Sequence, residues 1–75
     1  MDESMRRVLK IFTDMKSNEL DLHNLLEAGG NDPAARNKVV DAVARLVREG
    51  YLEGRGSDFY ALTEKGRQEP MNEEI

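Results

Sequence analysis

Residues 45–67 read RLVREGYLEGRGSDFYALTEKGR, and within this stretch a helical pattern ends and two short apolar runs follow. Gly50 comes directly after the helical pattern, where glycine is common because it adopts a left-handed backbone without steric cost. The runs 51–53 and 59–62 flank a polar, glycine-rich segment at 54–58, which predicts two paired strands joined by a flexible turn. The stretch therefore predicts a helix that leads directly into a β-hairpin.

A long helix is predicted immediately upstream of this hairpin. Asp32 can accept hydrogen bonds from the free amides of a first helical turn, and Pro33 suits the first helical position. We expect this helix to extend from residue 33 to about residue 49. Its apolar side is predicted to hold Val39, Val40, Val43, Leu46 and Val47. The opposite side is predicted to hold Ala34, Asn37, Lys38, Asp41, Ala44, Arg45 and Arg48.

Two shorter helices are predicted before the long one. The first is expected over about residues 4–16, with Asp2 or Ser4 as its cap. Its apolar stripe consists of Met5, Val8, Leu9, Phe12 and Met15. Asp21 is a suitable cap for the second helix, which is expected over about residues 22–28. The chain therefore begins with three helices, of which the last is the longest.

Two minor elements complete the predicted order. Residues 19–20 are expected to form a short extended segment between the first two helices. Thr63 follows the second strand and can cap a short final helical turn near residues 64–68. The sequence therefore predicts an α+β fold of three helices, a two-stranded hairpin and a short C-terminal helical turn.

Length and charge limit the size of the fold and the kind of partner. The 75 residues suffice for one small domain, which we expect at residues 1–67, followed by an acidic flexible tail at 68–75. Residues 33–67 hold seven bases and five acids, a net of +2, whereas residues 1–32 hold four bases and seven acids, a net of −3. The half that contains the long helix is thus mildly basic within a chain of net charge −4.

The composition disfavours several other classes of protein. The chain has no cysteine, so it cannot form disulfides or thiolate metal sites, and small secreted domains usually need such links. No apolar run approaches membrane length, so we expect a cytoplasmic protein without a membrane partner. The lone His23 has only carboxylates as possible co-ligands, and no nucleophile–base pair is recognisable. We therefore expect no enzyme activity, no metal site and no cofactor.

The predicted order of elements resembles the winged helix-turn-helix superfamily of bacterial and archaeal transcription regulators over residues 5–67. Many members have a leucine-rich helix end followed by Gly-Tyr/Leu-Leu, a wing, and Tyr-x-Leu-Thr-x-x-Gly. Here residues 50–52 read GYL and residues 60–66 read YALTEKG. The resemblance implies a small winged helix that binds duplex DNA and regulates transcription, with the third helix in the major groove and the wing on the backbone.

The resemblance also implies a set of DNA-binding residues. On the third helix, the residues placed against bases or backbone are Asn37, Lys38, Asp41 and Arg45. The wing tip would carry Arg55, and Arg48 and Arg36 would contact peripheral phosphates. Arginine and lysine can bind phosphates or guanine edges, and asparagine can pair bidentately with adenine.

Other interpretations of the same residues stay open. Arg45 follows Asp41 by four residues and could simply pair with it, and Arg48 near the helix end could do no more than offset the helix dipole. Asp41 on the presumed reading face and the acidic tail also fit a protein-interaction module that keeps the fold without reading DNA. Exposed apolar residues such as Phe59 and Ile11 would then mark its docking surface. A homodimer formed through the first helix is a further possibility.

Overall fold

The computed structural model of the protein describes residues 2–30 and 32–72. It is a mixed α+β fold with four helices and one three-stranded antiparallel sheet in the described residues. The elements in chain order are α1 Glu3–Asp14, β1 Glu19–Asp21, α2 Leu22–Gly29, α3 Pro33–Arg48, β2 Leu52–Arg55, β3 Phe59–Leu62 and α4 Glu64–Asn72. The three predicted helices and the hairpin are therefore confirmed, with ends that differ by one or two residues.

Aspartate side chains start the first three helices. Asp2, Asp21 and Asp32 each accept a hydrogen bond from the backbone amide three residues further on, over 2.9, 3.1 and 2.7 Å. Each bond satisfies an amide that has no partner within its own helix, which is worth about 1 kcal/mol. The predicted caps are confirmed, and Asp2 rather than Ser4 caps α1.

The sheet contains one strand more than the sequence predicted. β3 lies in the middle, with β2 on one side and β1 on the other, both antiparallel. The segment at 19–20 was expected to be extended, but its pairing with a strand forty residues later leaves no local signal in the sequence. The pairing is stabilised because Leu20 turns inward and is buried. The hairpin is present as β2 and β3, but the prediction that only two strands pair was wrong, because β1 adds a third.

The core lies between the helices and the inner face of the sheet. Its most buried large side chains are Phe12, Leu9, Leu25, Leu46, Leu52 and Val8. Two valines that the periodicity placed on the apolar side of α3 are instead exposed, Val40 at 46% and Val47 at 37%. The side of α3 that faces the core holds Val39, Ala42, Val43 and Leu46. It is therefore turned toward Ala42 and away from Val40 and Val47. Met15 was also predicted in the apolar stripe of the first helix, but it lies beyond the end of α1 and is 48% exposed.

Hydrogen bonds at the joint between α3, the hairpin and α4 fix the position of the long helix. Gly50 has a left-handed backbone (φ 88°) and ends α3 as predicted. The Thr63 hydroxyl donates to the Gly50 carbonyl (2.6 Å) and accepts from the Gly66 amide (3.1 Å). The Lys65 ammonium donates to the Glu49 carbonyl (2.9 Å), one of the free carbonyls at the end of α3. The start of α4 is therefore tied to the end of α3.

The last helix is longer than the sequence predicted. The short turn expected near 64–68 is the start of α4, which continues to Asn72 and packs on α1. Part of the expected flexible tail is thus helical, and residues 73–75 lie outside the described residues. In the part of the chain that the structure describes, no helix has both the length and the apolar composition to cross a membrane.

Candidate nucleic-acid interface

α3 presents one side to solvent along its whole length. The helix packs on α1, α2 and β2, and its buried side chains are Val39, Ala42, Val43 and Leu46, whereas most of its other residues are exposed. All seven residues predicted to contact DNA are exposed: Arg36, Asn37, Lys38, Asp41, Arg45, Arg48 and Arg55. Six of them lie on α3 and one on the hairpin, so the structure brings most of the predicted set onto one helix.

Three of the cations predicted to bind DNA have side chains without a partner among the described residues. The side chains of Arg36, Lys38 and Arg48 make no hydrogen bond or ion pair with any described residue. At 100° per residue, Arg48 lies on the outward side of α3, with Asn37 close to it in azimuth. Arg36 and Lys38 lie on opposite flanks of the same helix. The outer surface of α3 therefore carries three unpaired positive charges around an exposed amide.

Arg45 is engaged by two carboxylates. Its Nη1 lies 3.0 Å from Oδ2 of Asp2, the cap of α1, and its Nε lies 3.2 Å from Oδ2 of Asp41. These contacts hold the guanidinium on the side of α3 that faces α1. They also offset the negative charge of Asp41, which otherwise would repel a phosphate from the middle of the exposed surface. The pairing with Asp41 that the spacing suggested is thus present.

Arg55 is engaged as well. Its Nε and Nη2 lie 3.2 and 3.1 Å from Oε1 of Glu53 on the same strand. Arg55 is the last residue of β2, so it stands at the base of the turn rather than at its tip. Its ion pair is exposed and weak, because water screens both charges. The hairpin nevertheless offers less free positive charge than the sequence alone suggested.

The outer face of the sheet is acidic, in contrast to α3. Directly paired residues share a face of a sheet. The strand register therefore places Glu19 and Glu53 on either side of Ala61, and Asp21 and Arg55 on either side of Phe59. We call these residues the outer sheet face: Glu19, Asp21, Glu53, Arg55, Phe59 and Ala61. Three acids and one base lie there, and Phe59 is 44% exposed among them.

An open apolar groove lies at the surface between α2 and α3. It has a volume of about 500 Å³ and is lined by Leu22, Leu26, Pro33, Arg36, Asn37 and Val40. Two of its residues, Arg36 and Asn37, belong to the predicted DNA-binding set. Sequence reasoning missed the groove because it assigned Val40 to the core, and a one-sided helical pattern does not show which part of the apolar stripe a neighbouring helix covers.

His23 and Tyr51 make local contacts with charged side chains. His23 is exposed on α2, with Nε2 3.1 Å from Oε2 of Glu27. Partial burial, followed by the charges of Glu69 and Glu49, raises the pKa of Tyr51 above its ordinary 10.0, so this phenol stays neutral near pH 7. Its ring lies 4.5 Å from the Lys65 ammonium in a cation–π contact. Within residues 2–30 and 32–72, no group of three potential ligands is placed to hold a metal ion.

Comparison of the chain with protein-family models, with curated proteins and with solved structures found no match.

Proposed function

We propose that this protein binds duplex DNA through the outer surface of α3 and acts as a transcription regulator of the winged-helix type. The observation that supports the proposal most is a set of three exposed cations on one helix, Arg36, Lys38 and Arg48, whose side chains have no partner among the described residues. The winged-helix arrangement is supported by the order of α1, α2, α3 and the hairpin. The regulatory role rests on the resemblance alone.

Each part of the α3 surface has a chemical role in this proposal. The cations bind phosphates, which provide affinity without sequence information. Asn37 is the group suited to read a base edge, since an amide can pair bidentately with adenine in the major groove. Arg45 keeps Asp41 neutralised, and Arg55 on the hairpin adds a weaker contact because Glu53 competes for it.

Salt dependence gives the proposal a quantitative expectation. Each neutralised phosphate contributes a slope of about −0.9 to log K against log salt. Three phosphate contacts therefore predict a slope of about −2.7, or a loss of affinity of roughly 40-fold between about 50 and 200 mM salt. A nearly flat salt dependence would not be compatible with binding by these cations.

The test is a fluorescence-anisotropy titration of the full chain against random-sequence duplex DNA at low and physiological salt. Lys38→Ala should weaken binding and reduce the steepness of the salt dependence by about 0.9. Lys10→Ala is the matched control, since it removes the same charge from an exposed position on α1. Absence of binding by the unsubstituted protein at low salt would refute the proposal, as would equal effects of the two substitutions.

A protein-interaction module is the second candidate function. The specific observation in its favour is the apolar surface left exposed, with the groove between α2 and α3 and the ring of Phe59 both open to solvent. The two candidates differ in their response to salt, because an apolar contact persists at salt concentrations that dissociate a phosphate contact.

A further inference from the structure

Phe59 is an exposed aromatic side chain in the middle of the outer sheet face. It lies on the central strand β3 and pairs with Asp21 on one side and Arg55 on the other. Single exposed apolar residues are common on soluble proteins and by themselves indicate nothing. Phe59 becomes informative because of the surface that lies next to it.

The groove between α2 and α3 starts next to β1, the strand that pairs with β3 beside Phe59. Leu22 lines the groove and directly follows Asp21, the cross-strand partner of Phe59. The Leu22 amide also donates to the carbonyl of Asp58, 2.8 Å away, and Asp58 directly precedes Phe59. The backbone at Phe59 and the Leu22 end of the groove are therefore adjacent.

The groove is suited to receive an aromatic ring. Its apolar wall is formed by Leu22, Leu26 and Val40, and Val40 is the more exposed of the two solvent-facing valines of α3. An apolar cavity of about 150 Å³ accepts a benzene ring, so an open groove of about 500 Å³ has room for a phenyl side chain. The chain thus exposes both an aromatic side chain and a groove large enough to admit one.

The charges around the two features are also complementary. Arg36 lines the groove and makes no ion pair with a described residue. Phe59 is bordered by the exposed Asp58, by Asp21 and by Arg55, whose charge is offset by its ion pair with Glu53. A ring that enters the groove of another molecule would therefore bring carboxylates toward an unpaired guanidinium. Such a contact favours one docking orientation over others.

We propose that the protein forms a two-fold symmetric homodimer in which Phe59 of each copy enters the α2–α3 groove of the other. In a two-fold interface the same patch serves both copies, which requires that the inserted group and its receptor lie side by side on each one. The positions of Phe59 and Leu22 meet that requirement. The interface differs from the first-helix contact considered from the sequence.

The dimer has a consequence that rests on the proposed function. Arg36 and Asn37 line the groove and also belong to the α3 surface proposed to bind DNA. A molecule whose groove is filled cannot place those residues on a duplex, so dimer formation and DNA binding would exclude each other. DNA would then shift the protein toward the monomer.

Sedimentation velocity on the full chain without DNA tests the dimer independently of the proposed function. A contact of one ring and one groove per copy is smaller than a standard interface, so we expect association in the micromolar range and a useful concentration series of about 10 to 500 µM. Phe59→Thr keeps a residue that favours strands, and Val40→Gln keeps a residue that favours helices. Met15→Gln is the control, because Met15 is equally exposed but lies beyond the end of α1.

The expected result is a monomer–dimer equilibrium in the unsubstituted protein. Phe59→Thr and Val40→Gln should each weaken it at least tenfold, and Met15→Gln should leave it unchanged, with the far-UV circular dichroism of all variants alike. A protein that remains monomeric throughout the series overturns the proposal. So does a dimer that keeps its affinity in Phe59→Thr or in Val40→Gln, or one that Met15→Gln disrupts. Growth to larger species without a defined dimer would also overturn the two-fold arrangement.

Discussion

Gly66 is the residue at which the joint between α3 and α4 is most sensitive to added volume. A Cβ atom at this position would collide with the carbonyl oxygen of Tyr51 and come within 2.9 Å of a methyl group of Leu62. The Tyr51 carbonyl belongs to the backbone between α3 and β2 and cannot move without shifting the hairpin. Tight packing rather than a left-handed backbone therefore accounts for glycine here.

Gly66→Ala should lower the free energy of unfolding by about 1–3 kcal/mol, as expected for an overpacked site. Urea denaturation followed by circular dichroism measures this change. Gly54→Ala is the matched control, because a Cβ at Gly54 meets no atom within 4 Å and its backbone is not left-handed. Equal stability of the two variants would contradict the packing explanation.

Arg45 and Asp41 act together on the exposed surface of α3. Arg45→Ala should weaken DNA binding although the guanidinium is held toward α1, because the substitution leaves Asp41 as an unpaired negative charge on that surface. Asp41→Ala in the same chain should recover most of the lost affinity. Anisotropy titrations of the two single variants and the double variant complete a cycle. A double variant that binds DNA as weakly as Arg45→Ala would instead indicate that Arg45 contacts the DNA directly.

At the level of elements, a prediction from the sequence was correct when the interaction behind it joined residues close together in the chain. Asp2, Asp21 and Asp32 were predictable as caps because a cap acts on an amide three residues away. The pairing of β1 was not, since it joins Glu19 to Ala61 and depends on the final position of the hairpin. The exposure of Val40 was missed for a similar reason, as it depends on how α2 lies beside α3.

The same locality applies to the candidate site. Helical spacing placed five of the predicted α3 residues on the surface, where the structure has them: Asn37, Lys38, Asp41, Arg45 and Arg48. Arg36 was placed on the core side by the spacing, but it is exposed. Which cations are already paired was predictable only within one helix, as for Arg45 and Asp41. The contact of Arg45 with Asp2 joins two helices and could not be read from the spacing.

β1 is expected to depend on a single buried side chain. Leu20→Ala should lower the free energy of unfolding by about 2–5 kcal/mol, the range for truncating a buried leucine. It should also speed hydrogen exchange at the amides of Leu22 and Leu62, which donate to carbonyls of Asp58 and Asn18 across this edge of the sheet. Hydrogen exchange followed by NMR measures both. Unchanged protection of these amides would show that β1 is held by its backbone pairing alone.

The whole molecule has a basic helix surface and an acidic sheet face. The outer surface of α3 holds three cations that have no partner among residues 2–30 and 32–72, whereas the outer sheet face holds three acids and one paired base. A polyanion is attracted to the first surface and repelled by the second, even though the net charge of the chain is −4. This charge distribution favours an orientation in which α3 faces the polyanion and the hairpin contributes little to binding.

A comparison of Arg48→Ala with Arg55→Ala tests that orientation, because each removes one exposed arginine. Arg48 has no ion-pair partner among the described residues, whereas the guanidinium of Arg55 lies 3.1 Å from Glu53. Arg48→Ala should therefore reduce the steepness of log K against log salt by about 0.9, and Arg55→Ala should change it less. Removing Arg55 also frees the Glu53 carboxylate, which would weaken binding without altering the number of phosphate contacts. The two effects can be told apart. Loss of a phosphate contact changes the slope, whereas the freed Glu53 carboxylate mainly lowers the affinity at low salt. Equal changes in slope would show that the hairpin lies against the backbone of the duplex as closely as α3 does.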